Sequence, residues 1–138
     1  MSDKIKNKIP TERKVLRCIY EMYESDYPGT KPGENDPYIA IDITKVAEKL
    51  KCKPQLIFGY LYYHMDAKHR YKVAENTTTH LFTVAVGEKR HAVNFPYLAA
   101  ILANHNLEHQ RQLWSVGLSL LALALSAGAI VAQLVSSK

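Results

Sequence analysis

The chain has little of what catalysis, metal binding or secretion usually requires. Its 138 residues include two cysteines, Cys18 and Cys52, whose spacing matches no zinc motif, so we expect both to be reduced core residues. No glycine-rich phosphate loop, nucleophile elbow or paired-carboxylate pattern occurs. The first ten residues are charged and contain no hydrophobic run, which argues against a signal peptide. We therefore expect no enzyme activity and no cofactor.

Two histidines give the only metal-like spacing. His105 and His109 are four residues apart on one face of a predicted helix, where they can bind one metal ion. The first of them is not followed by the glutamate of zinc proteases, and no third ligand is evident. Polar residues near a membrane surface are the favoured interpretation, so no metal site is predicted.

Charge is missing from one long stretch near the end of the chain. Residues 112–137 carry no charged side chain, and residues 113–135 read LWSVGLSLLALALSAGAIVAQLV. About 20 mostly apolar residues suffice to cross roughly 30 Å of hydrocarbon. Trp114 lies at one edge, where an aromatic belt residue is expected. This pattern predicts a single transmembrane helix at the tail of the protein, with the N-terminal domain in the cytoplasm.

The alternative interpretation of this stretch is a core helix of a soluble oligomer. A helix that is apolar all round needs either lipid or a complete protein coat, and the preceding residues can hardly supply that coat. Small residues recur at every fourth position in Ala124, Gly128 and Ala132. Two such helices can approach closely along this face, which makes a homodimer a further hypothesis.

The basic residues are concentrated at the start of the chain. Residues 1–17 hold six basic and two acidic side chains, a net charge of +4, whereas residues 18–112 hold eleven of each. We expect residues 1–10 to be a flexible basic arm. Such an arm either contacts phosphates or anionic lipid, or is simply solvated.

Helical and strand patterns alternate in the region between the arm and the apolar stretch. A first helix is predicted from Thr11 to about Ser25, then a loop over residues 26–37 and a brief strand over residues 38–41. Asp42 is a suitable cap for a second helix, and Pro54 begins a third that runs to about Lys68. The inward positions of the third helix are predicted to be Ile57, Leu61 and Met65.

The second and third helices carry a recognisable pattern. The run Val46-Ala47-x-x-Leu50-x-Cys52-x-Pro54-x-x-Ile57-x-x-x-Leu61 resembles a helix-turn-helix, with Cys52 as the buried turn residue. Two positions depart from that motif. Lys51 stands where glycine is common and needs a positive φ or a different turn, and Lys53 replaces the usual Ser or Thr cap.

Strands are predicted after the third helix. Residues 71–75, 81–86 and 91–95 are strand-like, residues 76–79 are loop-like, and residues 87–90 form a hairpin turn. The order helix, strand, helix, helix, hairpin over residues 11–95 resembles the winged helix domain. The resemblance implies an α+β fold, a three-helix bundle with a small β-hairpin wing. A stalk helix over residues 96–112 should continue into the transmembrane helix of residues 113–135, about 40 helical residues in all.

The winged helix resemblance implies DNA binding, with the third helix in the major groove and the hairpin on the DNA backbone. The residues expected at that surface are Lys51, Lys53, Gln55, Gly59, Tyr63, Lys68, Arg70, Lys72, Lys89 and Arg90. Lysine and arginine suit phosphates. Only Gln55 suits base reading, and the outward side of the third helix otherwise offers Gly59, Tyr60, Tyr63, His64 and Asp66.

Two functions follow from these residues. The leading hypothesis is a membrane-anchored DNA-binding protein, either regulatory or tethering DNA to the membrane. The alternative is a tail-anchored adaptor whose tyrosine-rich third helix binds a protein partner, since tyrosine is common at protein interfaces. The sequence names neither a DNA site nor a partner.

Overall fold

The structure is a computed structural model that describes residues 9–27 and 36–137. Most of the predicted basic arm and most of the loop over residues 26–37 lie outside the described residues. The chain forms two compact units, Met1–Leu102 and Ala103–Lys138.

The first unit begins with two short helices. Helix α1 spans Glu12–Tyr23 and passes into a 3-10 turn, and α2 spans Ile43–Leu50. The predicted cap of α2 is confirmed, because Asp42 Oδ1 accepts the backbone N–H groups of residues 44 and 45 at 2.9 and 3.2 Å. Thr11 precedes α1, but its side chain makes no capping hydrogen bond.

The third helix, α3, is continuous over residues 54–69. It consists of an α-helical start Pro54–Gly59, a π-helical middle Tyr60–Met65 and an α-helical end Asp66–His69. The predicted bounds of this helix are confirmed, but the π-helical middle was not predicted. Such wide turns are rare, and they frequently occur at functional sites.

Two small antiparallel sheets complete this unit. Strands β1 (Tyr38–Ala40), β4 (Phe82–Val86) and β5 (Lys89–Asn94) form one sheet in the order β1-β5-β4. Strands β2 (Tyr71–Ala74) and β3 (Thr77–Thr79) form a separate hairpin.

The structure corrects two predictions about these hairpins. The loop predicted over residues 76–79 is wrong for Thr77–Thr79, because these β-branched residues pair with β2. The turn predicted over residues 87–90 is shorter, since Lys89 already pairs with Val86 and only two residues connect β4 to β5. Gly87 has a φ of 55°, which glycine adopts without strain in tight hairpins.

One apolar core joins these helices to the three-stranded sheet. Helix α4 spans Phe95–Ser136 and packs its first turns into this core. It begins one residue before Pro96, where it was predicted to start. The buried hydrophobic residues of this core are Val15, Leu16, Cys18, Ile19, Ile41, Ile43, Val46, Ala47, Ile57, Leu61, Met65, Leu81, Phe82, Val93, Phe95, Leu98, Ile101 and Leu102. The predicted inward face of α3 is thereby confirmed.

Asp66 is the only buried charged residue among those the structure describes, with 6% of its surface exposed. Its Oδ1 accepts the backbone N–H groups of Leu81 and Phe82 at 2.9 and 3.1 Å, and Oδ2 lies 2.9 Å from His80 Nδ1. The prediction that Asp66 faces outward was wrong. Its carboxylate instead satisfies the first two N–H groups where the chain enters β4.

The second unit is a single helical segment with a strongly apolar composition. An 18-residue window of α4 reaches a mean hydropathy of 2.2, none of the window is buried, and the helix is long enough to cross a membrane. The hydroxyls of Ser119 and Ser126 donate to the carbonyls of Ser115 and Ala122 at 2.8 and 2.9 Å. The fold is thus mixed α+β with small antiparallel sheets and a long apolar helix, as expected in outline.

Replacing Asp66 with alanine should destabilise the first unit strongly. Two buried backbone N–H groups lose their acceptor, so the free energy of unfolding should fall by about 3 kcal/mol. Chemical denaturation of the full chain in an uncharged detergent measures this change. The control Glu48→Ala removes an exposed carboxylate from α2 and should stay within about 0.5 kcal/mol of the wild type. Equal losses in the two variants would contradict this role of Asp66.

Candidate nucleic-acid interface

The core fixes which side of α3 faces solvent. Ile57, Leu61 and Met65 are at most 1% exposed, so the opposite side of the helix is free of core contacts. Tyr63 on that side is 79% exposed and Leu56 is 43% exposed. The sequence had correctly predicted which apolar residues face inward, because they follow the helical period.

The exposed side of α3 and its flanks carry no exposed carboxylate. Between Lys51 and Lys72 the only acidic residue is Asp66, and it is buried beneath β4. The same stretch contains five lysine or arginine residues. Burial of this single acid leaves only positive formal charges exposed within residues 51–72, which favours contact with phosphates. From outside this stretch, the carboxylate of Glu12 on α1 lies against Lys68 and His69.

The predicted site residues fall at the two ends of α3. Lys51, Lys53 and Gln55 are exposed at its N-terminal end, and Arg70 and Lys72 are exposed just beyond its C-terminal end. An α-helix of this length spans about 24 Å at 1.5 Å per residue. The cations thus form two separate groups, and the helix between them carries the middle of the surface, where Gly59 is half-buried and Tyr63 exposed.

Lys68 is less available than the other cations of this surface. Its Nζ lies 2.8 Å from Glu12 Oε2, although half of its side chain stays exposed. The other oxygen of Glu12 lies 2.6 Å from His69 Nε2, and the His69 carbonyl accepts the Tyr97 hydroxyl. Only 16% of the His69 side chain is exposed, so this histidine contributes little to the exposed surface of α3.

The turn before α3 is built by Lys51 and Lys53. Lys51 has a φ of 55°, so of the two alternatives expected at this position, a positive φ or a different turn, the structure has the positive φ. Its backbone N–H bonds back to the end of α2, and the next N–H, that of Cys52, donates to the Ala47 carbonyl at 3.0 Å. Lys53 precedes Pro54 without a capping hydrogen bond. Both lysine side chains are exposed to solvent at this turn.

The β4–β5 hairpin presents one of its two predicted cations more freely than the other. Lys89 Nζ lies 2.6 Å from Asp36 Oδ2 and 2.9 Å from the Tyr38 carbonyl, so it is directed at the adjacent strand β1. Arg90 is exposed. The hydrogen bonds from Lys89 and from the Tyr38 backbone lower the pKa of the Asp36 carboxyl.

Aromatic side chains determine the shape of the α3 surface. Tyr60 and His64 stack with ring centres 5.2 Å apart, and the ring centres of Phe58 and Tyr62 are 4.7 Å apart. The Tyr62 hydroxyl lies 2.9 Å from His91 Nδ1, and burial raises the pKa of Tyr62 to about 12. Tyr62 is therefore protonated at neutral pH, and it joins α3 to the sheet.

Sequence reasoning missed two features near this surface. The first is the β2–β3 hairpin, in which Val73 is 61% and Tyr71 50% exposed. The second is a row of cations on α1 that lines a cleft beside α2. No sequence motif marks either feature, because each depends on which residues the folded chain brings together.

Comparisons with protein-family models, with curated proteins and with solved structures give no match to this chain. Function must therefore be inferred from the geometry of the site itself.

The Asp36–Lys89 pair should have a measurable pH dependence. Because the Asp36 pKa is lowered on folding, the pair stabilises the protein fully above the ordinary carboxyl pKa of 3.8, and this stabilisation is lost as the pH falls through the folded-state pKa. Lys89→Gln should raise the Asp36 pKa in a carboxyl-resolved NMR titration. Arg90→Gln, the matched control at the next residue, should leave it unchanged. A Lys89→Gln variant with the wild-type Asp36 titration would contradict this pairing.

Proposed function

We propose that this chain is a membrane-anchored winged-helix protein that binds double-stranded DNA. The observation that carries the proposal is that residues 51–72, which form α3 and its flanks, expose only positive formal charges, and this depends on the burial of Asp66. The order of elements supports the winged-helix assignment, as does the pairing of β1 with β5 beside the hairpin strand β4. The β2–β3 hairpin is an addition to that order.

The spacing of the cations fits a duplex. The major groove of B-DNA is about 12 Å wide and admits an α-helix. With α3 in that groove, the lysines at its N-terminal end and Arg70 and Lys72 beyond its C-terminal end reach the phosphates on opposite sides. Arg90 on the β4–β5 hairpin adds a further phosphate contact.

Base reading at this surface is limited. Gln55 is the only exposed residue on α3 with an amide suited to a base edge. Tyr63 supplies an exposed ring and hydroxyl. We therefore propose binding that depends chiefly on phosphate contacts and DNA shape, and a function in regulation or in holding DNA near the membrane.

The apolar part of α4 supports the membrane anchor. Its large side chains from Leu113 to Val135 are exposed in the second unit, and exposed apolar surface of this extent needs lipid or a protein coat. The hydroxyls of Ser119 and Ser126 inside the stretch bond to the helix backbone, which satisfies these two groups in a hydrocarbon environment. Basic residues before the helix favour a cytoplasmic position for the DNA-binding domain.

Neutralising the cations that flank α3 should weaken DNA binding in a salt-dependent way. The variant Lys53→Gln with Arg70→Gln and Lys72→Gln removes three phosphate contacts, so the slope of log affinity against log salt should fall by roughly 3. Fluorescence anisotropy with a labelled duplex and the full chain in an uncharged detergent measures both quantities. Lys45→Gln, an exposed lysine of α2 outside this surface, is the control and should leave both unchanged.

Lys89 and Arg90 on the β4–β5 hairpin provide a second comparison in the same experiment. Arg90→Gln should weaken binding more than Lys89→Gln, because the Lys89 ammonium is already bound to Asp36. A wild-type chain without duplex affinity at low salt would overturn the DNA-binding proposal.

The second candidate function is a protein-interaction adaptor. It is favoured by the exposure of Tyr63 and Leu56 on one side of α3, since aromatic residues are enriched at protein interfaces. This function predicts the opposite pattern of effects. Tyr63→Ala would abolish capture of the partner, and the triple cation variant would leave it intact.

The anchor itself is tested by charge placed within the apolar stretch. Leu121→Arg with Leu125→Arg costs about 3 kcal/mol per residue at the centre of a spanning helix, so the protein should leave the membrane fraction at alkaline pH. Leu107→Arg, at an exposed position before the stretch, is the control and should remain in that fraction with the wild type. Release of the wild type by alkaline extraction would contradict the anchor and favour a soluble oligomer.

A further inference from the structure

Tyr63 lies at the middle of the α3 surface with its ring in solvent. It is 79% exposed, the largest fraction among the large hydrophobic side chains that the structure describes. The preceding residue, Tyr62, is half-buried, and its hydroxyl contacts the sheet at the Thr83 carbonyl and at His91. One tyrosine therefore holds α3 to the domain, and the next presents an exposed aromatic ring at the centre of the helix.

The neighbours of the Tyr63 ring fix its position on the helix. The rings of Phe58 and Tyr63 meet at 79° with their centres 6.0 Å apart. These two residues are five positions apart, the spacing of one hydrogen bond in the π-helical segment Tyr60–Met65. A Cβ atom at Gly59 would lie 3.7 Å from Tyr63 Cδ2, so the ring rests close to the helix backbone. A ring held in this way loses little freedom when a ligand stacks on it.

Exposed cations lie on both sides of this ring along the helix. Lys53 precedes α3, and Arg70 and Lys72 follow it. At 1.5 Å per residue, the ring lies roughly 15 Å from the first cation along the axis and roughly 10 Å from the second. An aromatic ring between cations is typical of surfaces that bind unpaired nucleic acid, because the bases stack on the ring while the phosphates contact the cations.

Stacking on a side chain requires a base that has left the duplex stack. In an intact duplex the neighbouring base pairs cover the faces of each base, so a protein reaches only base edges in the grooves. Edge reading by an amide has one exposed candidate on α3, Gln55. An unpaired base offers a whole ring face, and since every base has such a face, a tyrosine binds it without a sequence preference.

We propose that the preferred ligand of this surface is duplex DNA that contains unpaired bases, one of which stacks on Tyr63. The paired segments on either side supply phosphates to Lys53 at one end of α3 and to Arg70 and Lys72 at the other. This inference rests on the proposed DNA binding and names the class of DNA that the same surface takes. It makes Tyr63 a residue that determines specificity for DNA structure.

Two duplexes of equal length test this preference. One is fully paired, and the other has a central run of mismatches, so both carry the same number of phosphates. Fluorescence anisotropy with the full chain in an uncharged detergent should show roughly tenfold tighter binding of the mismatched duplex, which is within the range for one base stacked on an aromatic ring.

Variants of Tyr63 separate stacking from charge. Tyr63→Leu removes the ring and should abolish the preference, whereas Tyr63→Phe keeps the ring and should retain it. Tyr71→Leu is the matched control, because it removes a ring on β2 that is 50% exposed but lies outside α3, and it should also retain the preference. Lys53→Gln with Arg70→Gln and Lys72→Gln should weaken binding of both duplexes by a similar factor, since their phosphates are the same.

The outcomes distinguish this inference from the proposal on which it rests. Equal affinity of the wild type for the two duplexes would overturn the inference and leave the DNA-binding proposal standing. A preference that persists in Tyr63→Leu would also overturn it, because the flexibility of mismatched DNA would then explain the preference. Absence of binding to either duplex would overturn the DNA-binding proposal and this inference together, and would leave the α3 surface to a protein partner.

Discussion

The hydrogen bonds of the Asp66 carboxylate are the constraint on which the surface of this domain depends. One oxygen holds the backbone at Leu81 and Phe82, where the chain enters β4, and the other lies beside His80. These contacts fix the C-terminal half of α3 against the three-stranded sheet. They also remove the only acid between Lys51 and Lys72 from the exposed surface, so the same buried interaction that holds α3 leaves only positive charges exposed within that stretch.

Much of the fold follows from local patterns in the sequence. The period of Ile57, Leu61 and Met65 predicted the buried side of α3, and the position of Lys51 in the motif indicated either a positive φ, which the structure has, or a different turn. Both signals depend on near neighbours in the sequence. The burial of Asp66 was not predictable in this way. It requires two backbone N–H groups from residues 81 and 82, fifteen or more positions away. The pairing of Thr77–Thr79 with β2 was missed although it is local, because these residues were assigned to a loop despite the strand preference of β-branched threonine.

The candidate site shows the same division between local and long-range information. The sequence identified the cations around α3 because they flank a recognisable helix-turn-helix pattern. It gave no sign that Lys89 is bound to Asp36, 53 positions away, or that Lys68 is bound to Glu12, 56 positions away. It also gave no sign that α1 and α2 place four cations around one cleft. Long-range pairing thus decides which of the predicted basic residues remain available to a ligand.

Anchoring would alter how a weak DNA-binding surface works. In the proposed function, this domain has few side chains that read bases, but anchoring would give neighbouring copies a high local concentration, so that several modest phosphate contacts could act together on one duplex. The most direct test is flotation of lipid vesicles of uncharged phosphatidylcholine that contain the full chain, together with a fluorescent duplex. The account predicts that DNA floats with the vesicles at about 50 mM salt and is released at about 200 mM. It also predicts no DNA in the floating fraction for the Lys53→Gln, Arg70→Gln, Lys72→Gln variant. Protein that floats while the DNA stays at the bottom, or DNA that floats equally well with the variant, would contradict it.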